Sequence, residues 1–142
     1  GRYSFAQYPP HAGARGHIDS DLAQLFRRLL FNISIANRDN HLRNHGFLWQ
    51  GSGWRLAPAF DVNPNTAQRE HALNVGAPYA DTEGALSAAF ATHAYYRLTQ
   101  AHANLILEEV LEAASQWRRV ANQICIGGAE QRRMQAAFAL FE

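Results

Sequence analysis

The sequence contains no lysine, so its 13 basic residues are all arginine and no lysine ammonium group is available for binding or catalysis. The single cysteine, Cys125, excludes an internal disulfide and is compatible with a reducing cytoplasm, where we expect the protein to reside. No apolar run approaches the roughly 18 residues that span a bilayer, so we expect no contact with a membrane. A formal net charge of +1 predicts no strong binding of nucleic acid.

The composition is that of one ordinary globular domain, with 47% hydrophobic residues in a chain of 142. Prolines and glycines in residues 1–17 predict an irregular lead-in. From Asp21, leucines and phenylalanines recur at helical spacing, which predicts a helix that becomes buried and ends near Asn37. The polar residues 37–45 are then expected to form a loop.

A β-hairpin should follow this loop. Two short apolar stretches, 46–50 and 54–57, are separated by Gly51-Ser52-Gly53, a sequence suited to a tight turn. Beyond the hairpin the sequence predicts a long loop over 62–80 with a brief strand near 72–75, followed by three helices. These helices are expected near 82–92, from Thr99 to Ile124 with a stop at Gly127-Gly128, and over 130–141. The apolar stripe of the second helix, which ends with Ile124, is expected to face the core. Cys125 is expected to be a small buried residue near a helix end.

The predicted fold class is therefore mainly α, a helical bundle with a small β-hairpin. The residues that point to chemistry lie on both sides of this hairpin: Asp39 and Asn44 in the preceding loop, and Asp61 after the second strand. A carboxylate on such a loop can take the proton of a substrate hydroxyl. Amide and carboxylate oxygens from Asn44 and Asp61 suit Mg²⁺, which binds one or two carboxylates and completes its shell with water and phosphate oxygens.

Other interpretations of the same residues stay open. Asp39, Asn44 and Asp61 could each hydrogen-bond nearby backbone amides as ordinary turn residues. His41 and His45, with Asp39 and Asp61, could instead form the zinc site of a small hydrolase. The order Asp, short loop, Asn, hairpin, Asp favours phosphoryl transfer, because protein kinases arrange a catalytic base and two magnesium ligands in this way.

The segment Asn37-Arg38-Asp39-Asn40-His41-Leu42-Arg43-Asn44, with the aromatic hairpin and Pro58-Ala59-Phe60-Asp61, resembles the HipA-like serine/threonine kinases. These are the toxins of bacterial HipA–HipB pairs, and the resemblance covers essentially the whole chain. It implies a protein-kinase-like C-terminal lobe, with the hairpin next to the catalytic loop and with ATP and Mg²⁺ as cofactors. Phe60 replaces the commoner Tyr of the family, and Arg43 replaces the commoner Lys.

The resemblance also assigns roles to individual residues. Asp39 matches the catalytic proton acceptor, while Asn44 and Asp61 match the magnesium ligands. His41, Arg43 and Phe60 match positions that line the nucleotide site. Family members phosphorylate translation components such as an aminoacyl-tRNA synthetase, and some bind a DNA-binding antitoxin. By resemblance, the partners here would be ATP, such a protein substrate and a HipB-like antitoxin.

The family's nucleotide-binding N-terminal lobe, with its glycine-rich loop and phosphate-binding lysine, has no counterpart in residues 1–142. We therefore expect the whole chain to be the C-terminal lobe of such a kinase, and to turn over little ATP on its own. The alternative is a non-catalytic lobe that binds a partner or antitoxin.

Overall fold

The computed structural model describes residues 17–38, 40, 42–66 and 81–142. The lead-in predicted over 1–17, apart from His17, and the strand predicted at 72–75 lie outside these residues. The helices are α1 (Ile18–Ser34), α2 (Thr82–Phe90), α3 (Gln100–Ser115), α4 (Trp117–Gln123) and α5 (Gly128–Met134), with 3₁₀ turns at Leu42–Asn44, His93–Tyr96 and Gln135–Phe141; the strands are β1 (Phe47–Trp49) and β2 (Trp54–Leu56). The predicted mainly helical fold with a small hairpin is confirmed.

Helix α1 forms the centre of the core. Its leucines lie on a continuous buried face that packs against α2 and α3, and it ends at Ser34 where the polar loop begins. Phe26 is fully buried, with its ring centroid 5.2 Å from that of Tyr96 and 6.4 Å from that of Phe90. The sequence therefore places a rigid, well-packed helix directly before the loop of interest.

The hairpin is antiparallel, with Phe47 opposite Leu56 and Trp49 opposite Trp54. The two tryptophan rings lie edge to face at 5.6 Å, as expected of a cross-strand aromatic pair. Both tryptophans are exposed, so they contribute to the hairpin rather than to the core.

Three details of the predicted helices are wrong. The helix expected from Thr99 to Ile124 is divided at Gln116, where the ψ angle of 6° leaves the helical range. Ile124, expected in the core, is exposed because α4 has already ended at Gln123. Cys125 is near a helix end as predicted but is exposed rather than buried, and its left-handed φ of 61° reverses the chain there.

An apolar groove of about 520 Å³ lies between the end of α1 and the C-terminal helices. Its walls include Phe31 and Ile35 from α1, Val62 and Pro64 after the hairpin, and Ile124 and Ile126 after α4. Within the described ranges, no helix is both long enough and apolar enough to cross a membrane.

Candidate active site

Asn44 is held at the start of the hairpin. It ends the 3₁₀ turn Leu42–Asn44, is half-buried, and precedes β1 by three residues. The backbone N–H of Ala57 donates to the carbonyl of Gly46 at 2.8 Å, which extends the strand pairing to within two residues of Asn44. Arg43, in the same turn, is exposed. The hairpin therefore determines where Asn44 lies.

Phe60 packs against the same end of the hairpin. A methyl group placed on Gly46 would lie 3.5 Å from Phe60 Cε1 and 3.6 Å from Ala57 Cβ, an ordinary van der Waals separation. The Phe60 ring is otherwise exposed. The structure thus brings Phe60 close to the chain that follows Asn44, with an aromatic face open to solvent.

Asp61 is exposed and has a backbone φ of 56°, in the left-handed region that costs an ordinary L-residue about 1–2 kcal/mol. Its carboxylate Oδ1 accepts a hydrogen bond of 2.8 Å from Asn63 Nδ2. Aspartate tolerates this conformation better than most residues, and such conformations concentrate at functional sites. The chain therefore presents the Asp61 carboxylate at a sharp local turn.

The segment around Asp61 is attached to the end of α1. Asn37 Nδ2 donates to Asn32 Oδ1 at 2.7 Å and to the backbone carbonyl of Asp61 at 3.3 Å. The N–H of Asn65 donates to the carbonyl of Ala36 at 3.1 Å. Asp61 therefore lies beside the point at which the chain leaves α1 and enters the loop of residues 37–45.

That loop is closed by a hydrogen bond between its own residues. His45 Nε2 lies 3.1 Å from Oδ1 of the buried Asn40. Burial lowers the pKa of His45 below its ordinary value, and the nearby charge of Arg28 lowers this pKa further. The neutral imidazole of His45 is therefore favoured. The bond joins Asn40, which follows position 39, to His45, which follows Asn44.

Arg28, on α1, is the residue whose charge acts on His45. Its Nε and Nη1 are buried and have no hydrogen-bond partner among the described residues. Burial lowers the pKa of Arg28, an effect that the carboxylate of Asp21 partly opposes. A guanidinium on α1 thus contributes positive charge to the inner side of the loop.

Asp39 and His41 lie outside the described residues, so their assigned roles stay predictions. Elsewhere in the described chain, no three histidine, cysteine, aspartate or glutamate side chains form a metal-binding cluster. Asn44 and Asp61 offer one amide and one carboxylate oxygen. This donor set fits Mg²⁺, a hard cation that binds few protein ligands beside phosphate and water, better than Zn²⁺.

A family model, the HipA-like C-terminal domain, matches residues 5–118 of this chain. The chain belongs to the HipA-like C-terminal domain family. No curated protein and no solved structure is similar enough to count as a match. The matched region includes each residue assigned above to the site, and the predicted relationship to HipA is confirmed.

Several residues that hold the candidate site together were given no role by the sequence patterns. They are the asparagines at positions 32, 37, 40 and 63, and the pair formed by Asp21 and Arg55. The high density of asparagine in residues 32–65 is a usable signal, because asparagine both donates and accepts. The pairing of Asp21 with Arg55 had no local signal, since the two are 34 residues apart in sequence.

Proposed function

We propose that this HipA-like domain is the catalytic C-terminal lobe of a serine/threonine protein kinase. In the full-length protein it would transfer the γ-phosphoryl group of ATP to a protein hydroxyl in the presence of Mg²⁺. The observation that carries this proposal is the attachment of Asp61 to the end of α1, beside the loop that contains Asp39 and Asn44. This attachment supports the proposal, because residues 37–45 and the segment that ends at Asp61 carry in their sequence the three residue types that phosphoryl transfer requires.

Each residue has a separate task in this mechanism. Asp39 accepts the proton of the attacking hydroxyl as its oxygen bonds to the γ-phosphorus and the bond to the β-phosphate oxygen breaks, releasing ADP. Asn44 and Asp61 would hold Mg²⁺, which supplies neutralisation of the phosphate charge. The Phe60 ring would offer an apolar surface to the nucleotide. His41 and Arg43 would also line the nucleotide site.

The family relationship supports two classes of protein partner. The substrate would be a translation component such as an aminoacyl-tRNA synthetase, and a HipB-like antitoxin would bind the same protein. Both partners follow from the family relationship.

The test measures transfer of labelled γ-phosphate from ATP to a serine/threonine peptide library by the full-length protein. Asp39→Asn and Asp61→Asn should each lower the rate by about 10²- to 10⁴-fold, the range for losing a catalytic base or a charge-stabilising group. Asparagine keeps the side-chain shape and tolerates the left-handed backbone at position 61, so both variants should stay folded. Glu108→Gln, an exposed change on α3, is the matched control.

Unchanged rates in both aspartate variants would refute the mechanism. A wild-type protein that binds an antitoxin but transfers no phosphate would support the non-catalytic binding module instead. Tightly bound zinc in the purified protein would support the hydrolase.

A further inference from the structure

Asp21, in the first turn of α1, forms an extensive set of contacts with the hairpin. It is only 5% exposed. Its Oδ2 accepts hydrogen bonds of 3.0 Å from Arg55 Nε and 3.0 Å from the backbone N–H of Leu56, while Oδ1 accepts one of 3.1 Å from Arg55 Nη2. A buried carboxylate requires such partners, and the two-pronged contact with arginine fixes orientation as well as distance.

The bond to Leu56 determines how β2 sits along α1. Gln50 N–H donates to the Gly53 carbonyl and Ala57 N–H to the Gly46 carbonyl, so alternate residue pairs carry the strand pairing. Leu56 belongs to an intervening pair, and its N–H points away from β1. Asp21 accepts from this outward N–H, so the contact fixes the strand backbone itself as well as the side chain of Arg55.

A second set of contacts, near the C-terminal end of α1, holds the chain at Asp61, beyond the end of β2. There Asn37, held by Asn32, donates to the backbone carbonyl of Asp61. Leu56 and Asp61 are five residues apart; Leu56 is bound to Asp21 in the first turn of α1, and Asp61 is bound to Asn37, three residues after the helix ends. Because Asn44 leads directly into the hairpin, fixing β2 on α1 also fixes Asn44 relative to Asp61.

We propose that Asp21 is a positioning residue for phosphoryl transfer, because through Arg55 and Leu56 it sets the separation between Asn44 and Asp61. The inference rests on the proposed kinase function. In this role Asp21 would not need to contact nucleotide or substrate. It acts on the two magnesium ligands through the hairpin.

The experiment compares Asp21→Asn with Asp19→Asn in the full-length protein. Both substitutions lie in the first turn of α1 and remove a carboxylate bound to an arginine, but the Asp19 side chain is 76% exposed and its partner Arg97 is distant from the hairpin in sequence. The measured quantities are kcat for transfer from ATP to the peptide library, the Mg²⁺ concentration for half-maximal rate, and the folded fraction.

For Asp21→Asn, we expect kcat per folded molecule to fall by about 10- to 100-fold, the scale of a misplacement of about 1 Å. The Mg²⁺ concentration for half-maximal rate should rise, and the Leu56 amide should exchange its hydrogen faster. Asp19→Asn should stay within about 2-fold of the wild type, because an exposed ion pair contributes little. Arg55→Lys keeps a cation but loses the two-pronged contact, so its kcat per folded molecule should lie between those of Asp21→Asn and Asp19→Asn. Arg55→Lys replaces Asp21→Asn in the comparison if that variant is too unstable.

A wild-type protein without phosphoryl transfer would refute the proposed function. An active wild type whose Asp21→Asn and Arg55→Lys variants match Asp19→Asn per folded molecule would refute the positioning role alone. A lower melting temperature with unchanged Mg²⁺ dependence would show that the contact only stabilises the fold.

Discussion

Asparagine side chains connect the two segments that carry the candidate site residues. Asn37 bonds the Asp61 carbonyl, Asn63 bonds the Asp61 carboxylate, and Asn40 bonds His45. An amide can satisfy a carbonyl or a carboxylate without adding a charge of its own. These amides therefore add no charge beside the Asp61 carboxylate, which is exposed.

Tyr96 is a residue whose titration should be visible in the stability of the whole chain. It is 3% exposed, and burial raises the pKa of its phenol well above the ordinary value of about 10. Above about pH 10 the unfolded chain releases the phenol proton, while the folded chain keeps it. The unfolding free energy should therefore fall as pH rises beyond about 10.

Urea unfolding at about pH 9 and about pH 11 measures this loss. Tyr96→Phe should reduce this fall in unfolding free energy, because the variant lacks the phenol that titrates. Tyr95→Phe, whose side chain is 80% exposed, should leave it as in the wild type. An equal loss in both variants would contradict the assignment to Tyr96.

At the scale of elements, α1 both contributes the central core face and carries the contacts that hold the hairpin and Asp61. Its buried residues were predictable from their 3.6-residue spacing, and so were the hairpin and its turn. The contacts of Asp21 with Arg55 and Leu56, and that of Asn37 with Asp61, were not predictable, since they join residues that are far apart in sequence and depend on which face of each element meets the other.

The core face of α1 should be sensitive to loss of volume. Phe26→Ala removes a fully buried ring in contact with the rings of Tyr96 and Phe90, and should lower the unfolding free energy by about 3–5 kcal/mol. Leu105→Ala, at an exposed position of α3, should change it by less than about 0.5 kcal/mol.

Urea unfolding followed by circular dichroism separates the two variants. Similar midpoints would show that α1 does not form the centre of the core.

A local side-chain bond and a distant ring contact flank the division between α3 and α4. The residues from Thr99 to Ile124 have helical spacing throughout, yet the helix breaks at Gln116. Ser115 Oγ donates to the carbonyl of Glu112, a local bond that competes with regular helix geometry. Trp117 then stacks on Phe138, with ring centroids 4.5 Å apart and planes 12° from parallel. That stacking partner could not be read from the 99–124 segment.

At the scale of the whole molecule, the C-terminal segment completes the domain although the family match ends at residue 118. Arg118 lies over the Trp117 ring and donates two hydrogen bonds to the Glu142 carboxylate. Ala121 and Ala137 are buried in the same region. The matched and unmatched parts of the sequence therefore pack together.

Ending the chain after Gly127 should lower the unfolding free energy by at least about 3 kcal/mol, the cost of losing one packed phenylalanine. The loss follows from removing the Phe138 ring from Trp117 and uncovering the neighbouring alanines. Removing Glu142 alone should have a much smaller effect, because an exposed ion pair contributes little. Thermal and urea unfolding of both shortened chains provide the comparison. Equal stability of the wild type and the chain ending at Gly127 would show that the segment is dispensable.

Cys125 follows Ile124 and precedes Ile126, two residues that line the apolar groove together with Val62, the residue next to Asp61. It is exposed, and it is the sole thiol in the sequence. A maleimide dye would therefore attach at one known point, between two residues that line the groove, without any engineered substitution. Its emission would report on whatever enters the groove.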